Sequence, residues 1–373
     1  MKKLIYIAAA ALAVAACAKT EVQDPATVSD EVQTPVFFQT APITKDGESK
    51  PYSKFSETNV FESAAWYLQK DYNWADNFAE GISYIPASTV SYMAYTASGA
   101  TASTNVWRTV QPYYWPKNGG KLTFFSWSLN KGDLNFGANS NAKVTITPEK
   151  GVVLTDFNVK DEGKDGGIDF LVADPAYDKT KNEHAYYTDG VPTLFRHKLS
   201  SLKITAYTEE DYPGKTITIK TITVTGVDGE ADYQEGEKNS DTDKWTVIDK
   251  WTTDPGSEYD NEIYDGGATG TEVPTSPSKV TFGGEQTIFI PQDFTGDEKI
   301  VITYEIYDEI SKITEEITVE IPLQEALQSA QGEKDGKFEP GKEYTLNLKF
   351  TLDLVFWDPA VQNWDPTDIE ITE

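Results

Sequence analysis

Apolar and polar residues alternate with a period of two along much of the chain, whereas the period of an amphipathic helix is rare. The longest alternation covers residues 344–356 and predicts one long, half-buried strand. Residues 300–306 and 317–321 alternate in the same way on either side of a charged segment, which predicts an antiparallel hairpin. The second half of the chain is therefore expected to be rich in β-structure.

Shorter patterns extend this expectation to the whole chain. An Ile/Thr run changes phase by one residue near Lys220 or Thr221, which predicts a β-bulge. A single short helix is predicted over residues 322–331. Strands in the first half are predicted at residues 90–95, 121–129 and 143–147. Because no strand–helix–strand alternation is present, the predicted fold class is all-β, built from antiparallel β-sandwiches.

The first residues of the chain predict export. Lys2 and Lys3 precede an uncharged apolar run, residues 4–16, that is too short to span a bilayer as a helix. Small residues stand directly before Cys17, the single cysteine of the chain, and this arrangement resembles the lipobox of bacterial lipoproteins. Cys17 is thus expected to carry a lipid that holds the protein at the outer membrane. An ordinary secretory peptide with an incidental cysteine is the alternative.

The length of 373 residues favours two domains. A polar stretch without apolar period follows Cys17, as expected of a flexible tether. The seam between domains is placed near residues 179–190. The predicted organisation is a signal peptide (1–16), a lipidated tether (17–33), an N-terminal β-sandwich domain (34–188) and a C-terminal β-sandwich domain (189–373).

Composition narrows the range of functions. A formal net charge of −28 argues against binding to nucleic acid. One Cys and two His leave few ligands for a metal or cofactor, so neither is predicted, and no catalytic residues are assigned. His197 is interpreted as a hydrogen-bonding residue of the fold. Acidic residues between 228 and 265 could gather Ca²⁺, but a solvated insertion is the preferred interpretation.

Aromatic residues cluster in the first half and allow two interpretations. The tryptophans of these clusters are Trp66, Trp74, Trp107 and Trp115. Flat rings cover the apolar faces of sugars, so an exposed row would form a platform for glycans. The same rings are equally suited to the core of a sandwich, and packing is the preferred interpretation.

Five blocks of sequence carry a family resemblance. They begin at Trp107 (WRTVQPYYWPKNGGKLTFF), Asp169 (DFLVA), Phe195 (FRHKLSSL), Ile290 (IPQ) and Phe338 (FEPGKEYTLNLKFTLDLVFWDPAVQNW). In this order they resemble the block pattern of the fimbrillin-like lipoproteins of Bacteroidales, the subunits of type V pili. The resemblance implies two transthyretin-like β-sandwich domains, export as a lipoprotein and removal of an N-terminal strand. The vacated groove would then accept a strand from the next subunit.

The resemblance also suggests where processing would occur. The candidate leaving strand covers residues 35–43, and the protease would cut in the polar segment that follows it. Family pilins are typically cut after an Arg, whereas this segment offers Lys45, Lys50 and Lys54, of which Lys54 is the first choice. The departure indicates that an Arg-specific protease could not process this chain.

The C-terminal end is the expected source of the donor strand, where Ile369 and Ile371 alternate with polar residues. A final native strand or a frayed tail is the alternative. The preferred function is therefore a structural subunit of a cell-surface fimbria, in a shaft, anchor or tip role, with other fimbrial subunits as partners. A monomeric surface lipoprotein that binds glycans through the tryptophans is the main rival, and an enzyme acting on extracellular polymers is the second.

Overall fold

Strands make up most of the chain, which confirms the predicted all-β class. The computed structural model describes residues 33–40, 55–129, 131–137, 140–159, 167–181, 190–331 and 336–363. Within these ranges, no helix is long and apolar enough to cross a membrane.

The strands of the first half vary in length from two residues in β1 to 14 in β3. They are β1 (Phe38–Gln39), β2 (Val60–Leu68), β3 (Ile82–Tyr95), β4 (Thr104–Thr109), β5 (Lys121–Leu129), β6 (Lys143–Thr147), β7 (Gly151–Asn158), β8 (Phe170–Ala173), β9 (Ala176–Lys179), β10 (Val191–Pro192) and β11 (Phe195–His197). One short helix, α1 (Trp74–Asn77), lies between β2 and β3.

Longer strands dominate the second half. They are β12 (Ser200–Thr208), β13 (Lys215–Asp228), β14 (Glu230–Lys238), β15 (Trp245–Thr253), β16 (Glu258–Asp265), β17 (Thr271–Glu272), β18 (Val280–Phe289), β19 (Gln292–Asp293), β20 (Lys299–Asp308), β21 (Ile313–Pro322), β22 (Lys337–Phe338), β23 (Lys342–Phe350) and β24 (Val355–Asn363). Helix α2 (Leu323–Gln331) follows β21 and buries Leu323, Ala326 and Leu327, as the predicted helix requires.

Two sheets enclose the core of the first half. The larger has the order β10-β1-β4-β3-β2-β5-β8-β11, with β9 beside β5, and the smaller has the order β15-β14-β7-β6. Apolar side chains of both sheets meet between them, among them Phe125, Trp127, Leu154, Tyr233 and Trp245. The other face of the larger sheet carries a second apolar cluster of its own.

The larger sheet folds over on itself. Strand β1 is three places from β2 in the sheet order, which would put them about 14 Å apart in a flat sheet. The ring of Phe38 in β1 nevertheless contacts that of Phe61 in β2 at 5.5 Å and that of Phe124 in β5 at 5.8 Å. The first strand therefore covers the middle of its own sheet.

The acidic stretch 228–265 is not a solvated insertion, and that interpretation is wrong. It forms β14, β15 and β16, and β14 pairs with β7 of the first half. Ala231 and Tyr233 point into the core, whereas Asp232 between them is exposed. The stretch therefore follows an ordinary period-two strand pattern in which most acidic residues occupy the outward positions. Their number suggested a solvated insertion instead.

The second half of the chain also forms a sandwich. One sheet has the order β18-β12-β23-β24, and the other has the order β16-β13-β20-β21, with β17 beside β13. Strands β12 and β23 pair in parallel, as do β1 and β10, and the other described strand pairs are antiparallel. Inward residues of both sheets form one cluster, which includes Ile204, Ile219, Ile302, Leu346 and Phe350.

Two detailed predictions for this half are confirmed. Strands β20 and β21 form the expected hairpin, with Tyr304 opposite Ile317. The pairing of β13 with β20 shifts register between Ile219 and Thr221, where the bulge was predicted. The bulge lets residues on both sides of the phase change face the same core, since Ile219 and Ile222 are both buried.

The single long strand predicted over residues 344–356 is wrong. Strand β23 ends at Phe350, and β24 returns antiparallel with Val355 opposite Phe350. Thr351 closes the turn: its N–H and its hydroxyl both donate to the carbonyl of Leu354, at 2.9 and 2.8 Å. Period-two alternation continues through this turn, so the sequence pattern did not reveal it.

The predicted domain boundary between residues 188 and 189 stays a prediction. Strands on both sides of it share sheets, because β10 and β11 belong to the larger sheet of the first half. Strands β14 and β15 join the smaller sheet of that half as well. A cut at this boundary would therefore separate paired strands.

Candidate functional site

The first strand lies in a groove between β4 and β10. Phe38 in β1 pairs in parallel with Val191 and antiparallel with Trp107. Backbone hydrogen bonds extend on both sides: Val191 N–H donates to Phe37 O at 2.7 Å, and Val36 N–H donates to Tyr113 O at 2.8 Å. The segment 34–40 is thus held by its backbone along both edges, as an inserted strand would be.

Alternate side chains of this segment fill the groove. Val36, Phe38 and Thr40 are buried, whereas Phe37 and Gln39 are partly exposed. Phe38 lies edge-on against two phenylalanine rings of the sheet beneath it. Burying a side chain such as Val or Phe contributes about 1.5–3 kcal/mol. Val36 and Phe38 therefore stabilise the segment in the groove by amounts of this size.

A glycine allows β10 to approach the first strand closely. Gly190 has a φ of 104°, and a Cβ placed on it would lie 2.6 Å from the backbone of Phe38. Only glycine adopts this conformation readily and leaves room for the neighbouring chain. The parallel pairing of β1 with β10 therefore depends on Gly190.

The floor of the groove is aromatic. Phe55, with which the described chain resumes, stacks on Phe195 at 4.7 Å, and its ring also meets those of Phe61 and Trp107. These rings belong to the same cluster as Val36 and Phe38. The segment 41–54, which links the first strand to this cluster, contains the predicted processing sites.

Most residues that the sequence singled out lie outside the described residues. This holds for Cys17, for Lys45, Lys50 and Lys54, and for Ile369 and Ile371. The structure does describe residues 33–40 before the processing segment, Phe55 after it and the chain up to Asn363 before the candidate donor strand. Their proposed roles remain predictions.

The tryptophans do not form an exposed platform for glycans, and that alternative is corrected. Trp66, Trp74, Trp107 and Trp115 are 7%, 0%, 7% and 3% exposed. Trp66 and Trp74 pack against each other and against Phe125 of β5, while Trp107 packs in the groove. Buried rings present no face to a sugar, so packing explains these clusters.

His197 has the structural role expected of it. Its Nδ1 lies within hydrogen-bonding distance of the Asp169 carboxylate, and both side chains are buried. The pair joins β11 to the residue just before β8, next to the paired positions of these two strands. It therefore fixes the edge of the larger sheet.

A buried polar pocket, which the sequence did not reveal, lies between the two sheets of the first half. Lys198 Nζ lies 2.7 Å from Asp249 Oδ1, and the Tyr233 hydroxyl donates to the same oxygen at 2.5 Å. Glu235, two residues beyond Tyr233 in β14, accepts a hydrogen bond from Val152 N–H at 2.8 Å. The one sequence signal for this pocket is that Glu235 occupies an inward position of its strand. That signal can be read only once the register of the strand is known.

The charge state of this pocket is set mainly by burial. Burial raises the pKa of Glu235 to about 8, opposed by the Val152 hydrogen bond and by the charge of Lys198. Burial also raises the pKa of Tyr233 well above its ordinary value, and the nearby carboxylates of Asp249 and Glu235 add to the effect. A pKa of about 8 favours the protonated form of Glu235 at neutral pH.

Among the described residues, no group of three or more His, Cys, Asp and Glu side chains is arranged to hold a metal ion. The acidic strands β14 to β16 are included in that statement. Most of their carboxylates lie on separate outward positions of the sheets; Asp249 pairs with Lys198, and Glu235 is the inward exception.

The fold and the groove define the class of protein: an all-β sandwich protein whose first strand is a short segment inserted between two others. A sequence profile described as fimbrillin-like matches residues 70–364. Since this is more than half of the chain, the protein belongs to the fimbrillin-like family. A comparison with curated proteins gave no match.

Solved structures similar to this chain include three proteins, of which the first shares its fold. A fimbrial protein from Bacteroides vulgatus has a TM-score of 0.56 at 16% identity, over 82% of this chain and 92% of that one. A putative cell adhesion protein from Bacteroides uniformis has a TM-score of 0.46 at 14% identity, over 90% and 100%. The tip fimbrial protein Mfa3 from Porphyromonas gingivalis has a TM-score of 0.36 at 9% identity, over 88% and 100%.

Family membership places the chain among structural fimbrial proteins of the cell surface. It implies contact with other fimbrial subunits and argues against an enzymatic role.

Proposed function

We propose that this protein is exported as a lipoprotein and becomes a structural subunit of a cell-surface fimbria by exchange of its first strand. The observation that supports the proposal most directly is the position of residues 34–40, which fill a groove between β4 and β10. A strand from a neighbouring subunit could meet the same backbone groups and the same apolar floor.

Removal of the first strand would leave a surface that needs a new occupant. Strand β10 pairs with no other described strand than β1, and β4 would become an edge. The Phe61, Trp107 and Phe124 rings beneath would be uncovered. Unpaired backbone groups beside an apolar floor are satisfied together by strand addition, which makes head-to-tail assembly favourable.

The C-terminal end is the donor in this proposal. Ten residues follow Asn363, and Ile369 and Ile371 within them are spaced two apart. Val36 and Phe38, the buried residues of the first strand, have the same spacing. In an extended strand such residues point to one face, so Ile369 and Ile371 can replace Val36 and Phe38 in the groove.

Export and processing complete the proposal. Cys17 carries the lipid that delivers the chain to the outer membrane, and cleavage after Lys54, or after Lys45 or Lys50, frees the first strand from the body of the protein. The positions suit this role, because they lie between the groove-filling segment and Phe55, the first described residue of the body.

The test is the N-terminal sequence and intact mass of the protein recovered from the surface of its native cells. A start at Phe55 without lipid supports processing and strand exchange. A chain that still begins at acylated Cys17 within assembled fimbriae would contradict exchange and identify an anchor subunit.

A triple substitution tests the processing segment directly. Lys45→Gln, Lys50→Gln and Lys54→Gln together should prevent cleavage and polymer formation. The matched control changes three exposed lysines of the folded body, Lys117→Gln, Lys143→Gln and Lys150→Gln, and should assemble normally. Unchanged fibres from the first triple variant would exclude this segment as the site of processing.

A further inference from the structure

Lys198 and Asp249 form an ion pair in which the lysine is buried and the carboxylate is partly exposed. Lys198 follows β11, and Asp249 lies in β15 on the opposite sheet of the first sandwich. The Lys198 amine lies 2.7 Å from Asp249 Oδ1, and the Lys198 side chain is 7% exposed. The backbone from which this side chain extends is fixed, since Lys198 N–H donates to Phe170 O at 2.9 Å and Trp251 Nε1–H donates to Lys198 O at 2.7 Å.

The carboxylate is held in place as well. Asp249 has a φ of 45°, a left-handed conformation that is uncommon for residues other than glycine, and it lies beside a register shift between β14 and β15. The Tyr233 hydroxyl donates to Asp249 Oδ1 at 2.5 Å. The backbone therefore accepts strain at the position that aims this carboxylate at the lysine.

Aromatic rings line one side of the pair. The Tyr233 and Trp251 rings lie 5.2 Å apart, and Phe157 and Phe170 pack against them. Glu235 adds a second carboxyl group whose Oε1 is buried without a hydrogen-bond partner among the described residues. Burial of the Lys198 charge is costly, so the pocket favours a change that neutralises it together with its partner.

We propose that Lys198 and Asp249 condense to an intramolecular amide, a covalent cross-link between the two sheets of the first sandwich. The ammonium passes one proton to the carboxylate, which gives an amine and a carboxylic acid. The nitrogen bonds to Cγ of Asp249 and the bond from Cγ to one oxygen breaks. That oxygen leaves as water with one proton from the acid and one from the amine, so no oxidant or other co-reactant is needed.

Tyr233 is the catalytic residue of this step, because its hydroxyl touches the reacting carboxyl group. The hydrogen bond to Oδ1 polarises the carboxyl and stabilises the charge that develops on oxygen as the amine attacks. Since the pKa of Tyr233 is raised by burial, the hydroxyl keeps its proton at neutral pH.

The cross-link would act where pulling forces separate strands. Lys198 lies between β11 and β12, at the passage from the first sandwich to the second, and Asp249 lies in β15, the outer strand of its sheet. An amide between them prevents β15 and its partner β14 from peeling away from the larger sheet. This benefit does not depend on how subunits join and goes beyond the proposed strand exchange.

Mass spectrometry of a tryptic digest of the full chain, purified under denaturing conditions, tests the proposal. Trypsin does not cut at an amide-linked lysine. We expect a branched peptide joining residues 197–203 to residues 245–250, lighter by one water than the two linear peptides together. Separate peptides with complete cleavage after Lys198 would overturn the proposal.

Two substitutions at the pair sharpen the result. Lys198→Arg keeps a positive charge but not the amine nucleophile, and it should abolish the branched peptide. Asp249→Asn would condense with loss of ammonia instead of water, so its branched peptide should have the same mass as that of the unchanged protein. A branched species of any other mass in that variant would contradict the chemistry.

A control pair and a rate measurement complete the test. Lys215 and Asp308 are as close, at 2.8 Å, but the Lys215 side chain is 36% exposed against 7% for Lys198, and Lys215→Arg should leave the branched peptide unchanged. Tyr233→Phe should slow formation of the branched peptide about tenfold or more in freshly made protein. An unchanged rate with native circular dichroism would refute the role of Tyr233.

Discussion

Glu235 should make the stability of this protein fall as the pH rises from mildly acidic to alkaline. Its carboxyl group is buried in β14, and burial raises its pKa from 4.5 to about 8 in the folded protein. Between these values the unfolded chain has lost the proton while the folded protein retains it, so raising the pH favours unfolding. The stabilisation is complete below pH 4.5 and is lost as the pH rises through about 8.

The magnitude follows from the size of the shift. Each unit of pKa difference corresponds to about 1.4 kcal/mol, so the full shift amounts to about 4–5 kcal/mol between acidic and alkaline pH. Glu235→Gln removes the titrating group and keeps an oxygen that can accept the hydrogen bond from Val152 N–H. Between pH 4.5 and pH 9 the free energy of unfolding should therefore fall by about 4–5 kcal/mol less in the variant than in the unchanged protein.

Urea unfolding followed by tryptophan fluorescence at several pH values measures this difference. The other titratable groups of the pocket are Asp174, Tyr177, Tyr233 and the Lys198–Asp249 pair, and they are the same in both proteins whether the pair is ionic or joined as an amide, so the comparison isolates Glu235. Glu237→Gln is the matched control, because Glu237 is exposed two residues further along the same strand and should behave like the unchanged protein. Parallel pH profiles for Glu235→Gln and the unchanged protein would refute the reasoning.

Two further substitutions test the groove and the anchor. Phe38→Ala should lower the free energy of unfolding by about 3–4 kcal/mol because the ring is buried in the groove, whereas Phe37→Ala, on the partly exposed face, should cost about 1 kcal/mol. Chemical unfolding measures both, and equal losses would contradict the assigned facing of the first strand. Cys17→Ala should abolish lipidation and release the protein or leave it in the periplasm, as fractionation of cells would show. Normal surface retention of that variant would contradict lipid anchoring.

The alternation of apolar and polar residues correctly predicted the elements that depend only on residues close together in the sequence. The hairpin β20–β21 and the bulge after Ile219 follow from alternation alone, since a half-buried strand needs one apolar face. The turn after Phe350 was missed because Thr351 closes it without interrupting the alternation. Strands β14 and β15 were missed because acidic residues fill most of their outward positions, and charge suggested a solvated insertion.

The candidate site was predictable in part. The blocks of sequence and residues 35–43 indicated a removable first strand, and the structure describes residues 35–40 in a groove. The burial of Trp66 and Trp107 could not be derived, because aromatic density is the same in a core and in a platform. The pocket joins Lys198 to Glu235 and Asp249, which lie much further along the chain, and only the register of β14 and β15 places these two residues beside it.

The groove and the buried pocket meet in one short segment, residues 190–198. Gly190 lets β10 approach the first strand, Phe195 packs on the groove floor, and Lys198 reaches Asp249 across the sandwich. If the first strand leaves as proposed, β10 loses the one partner it has among the described strands, whereas β11 keeps its pairing with β8. A covalent bond at Lys198 would fix the far end of this segment. The emptied groove would then keep its floor in place for the incoming strand, so the same lysine that carries load in the fibre would also prepare the subunit to join it.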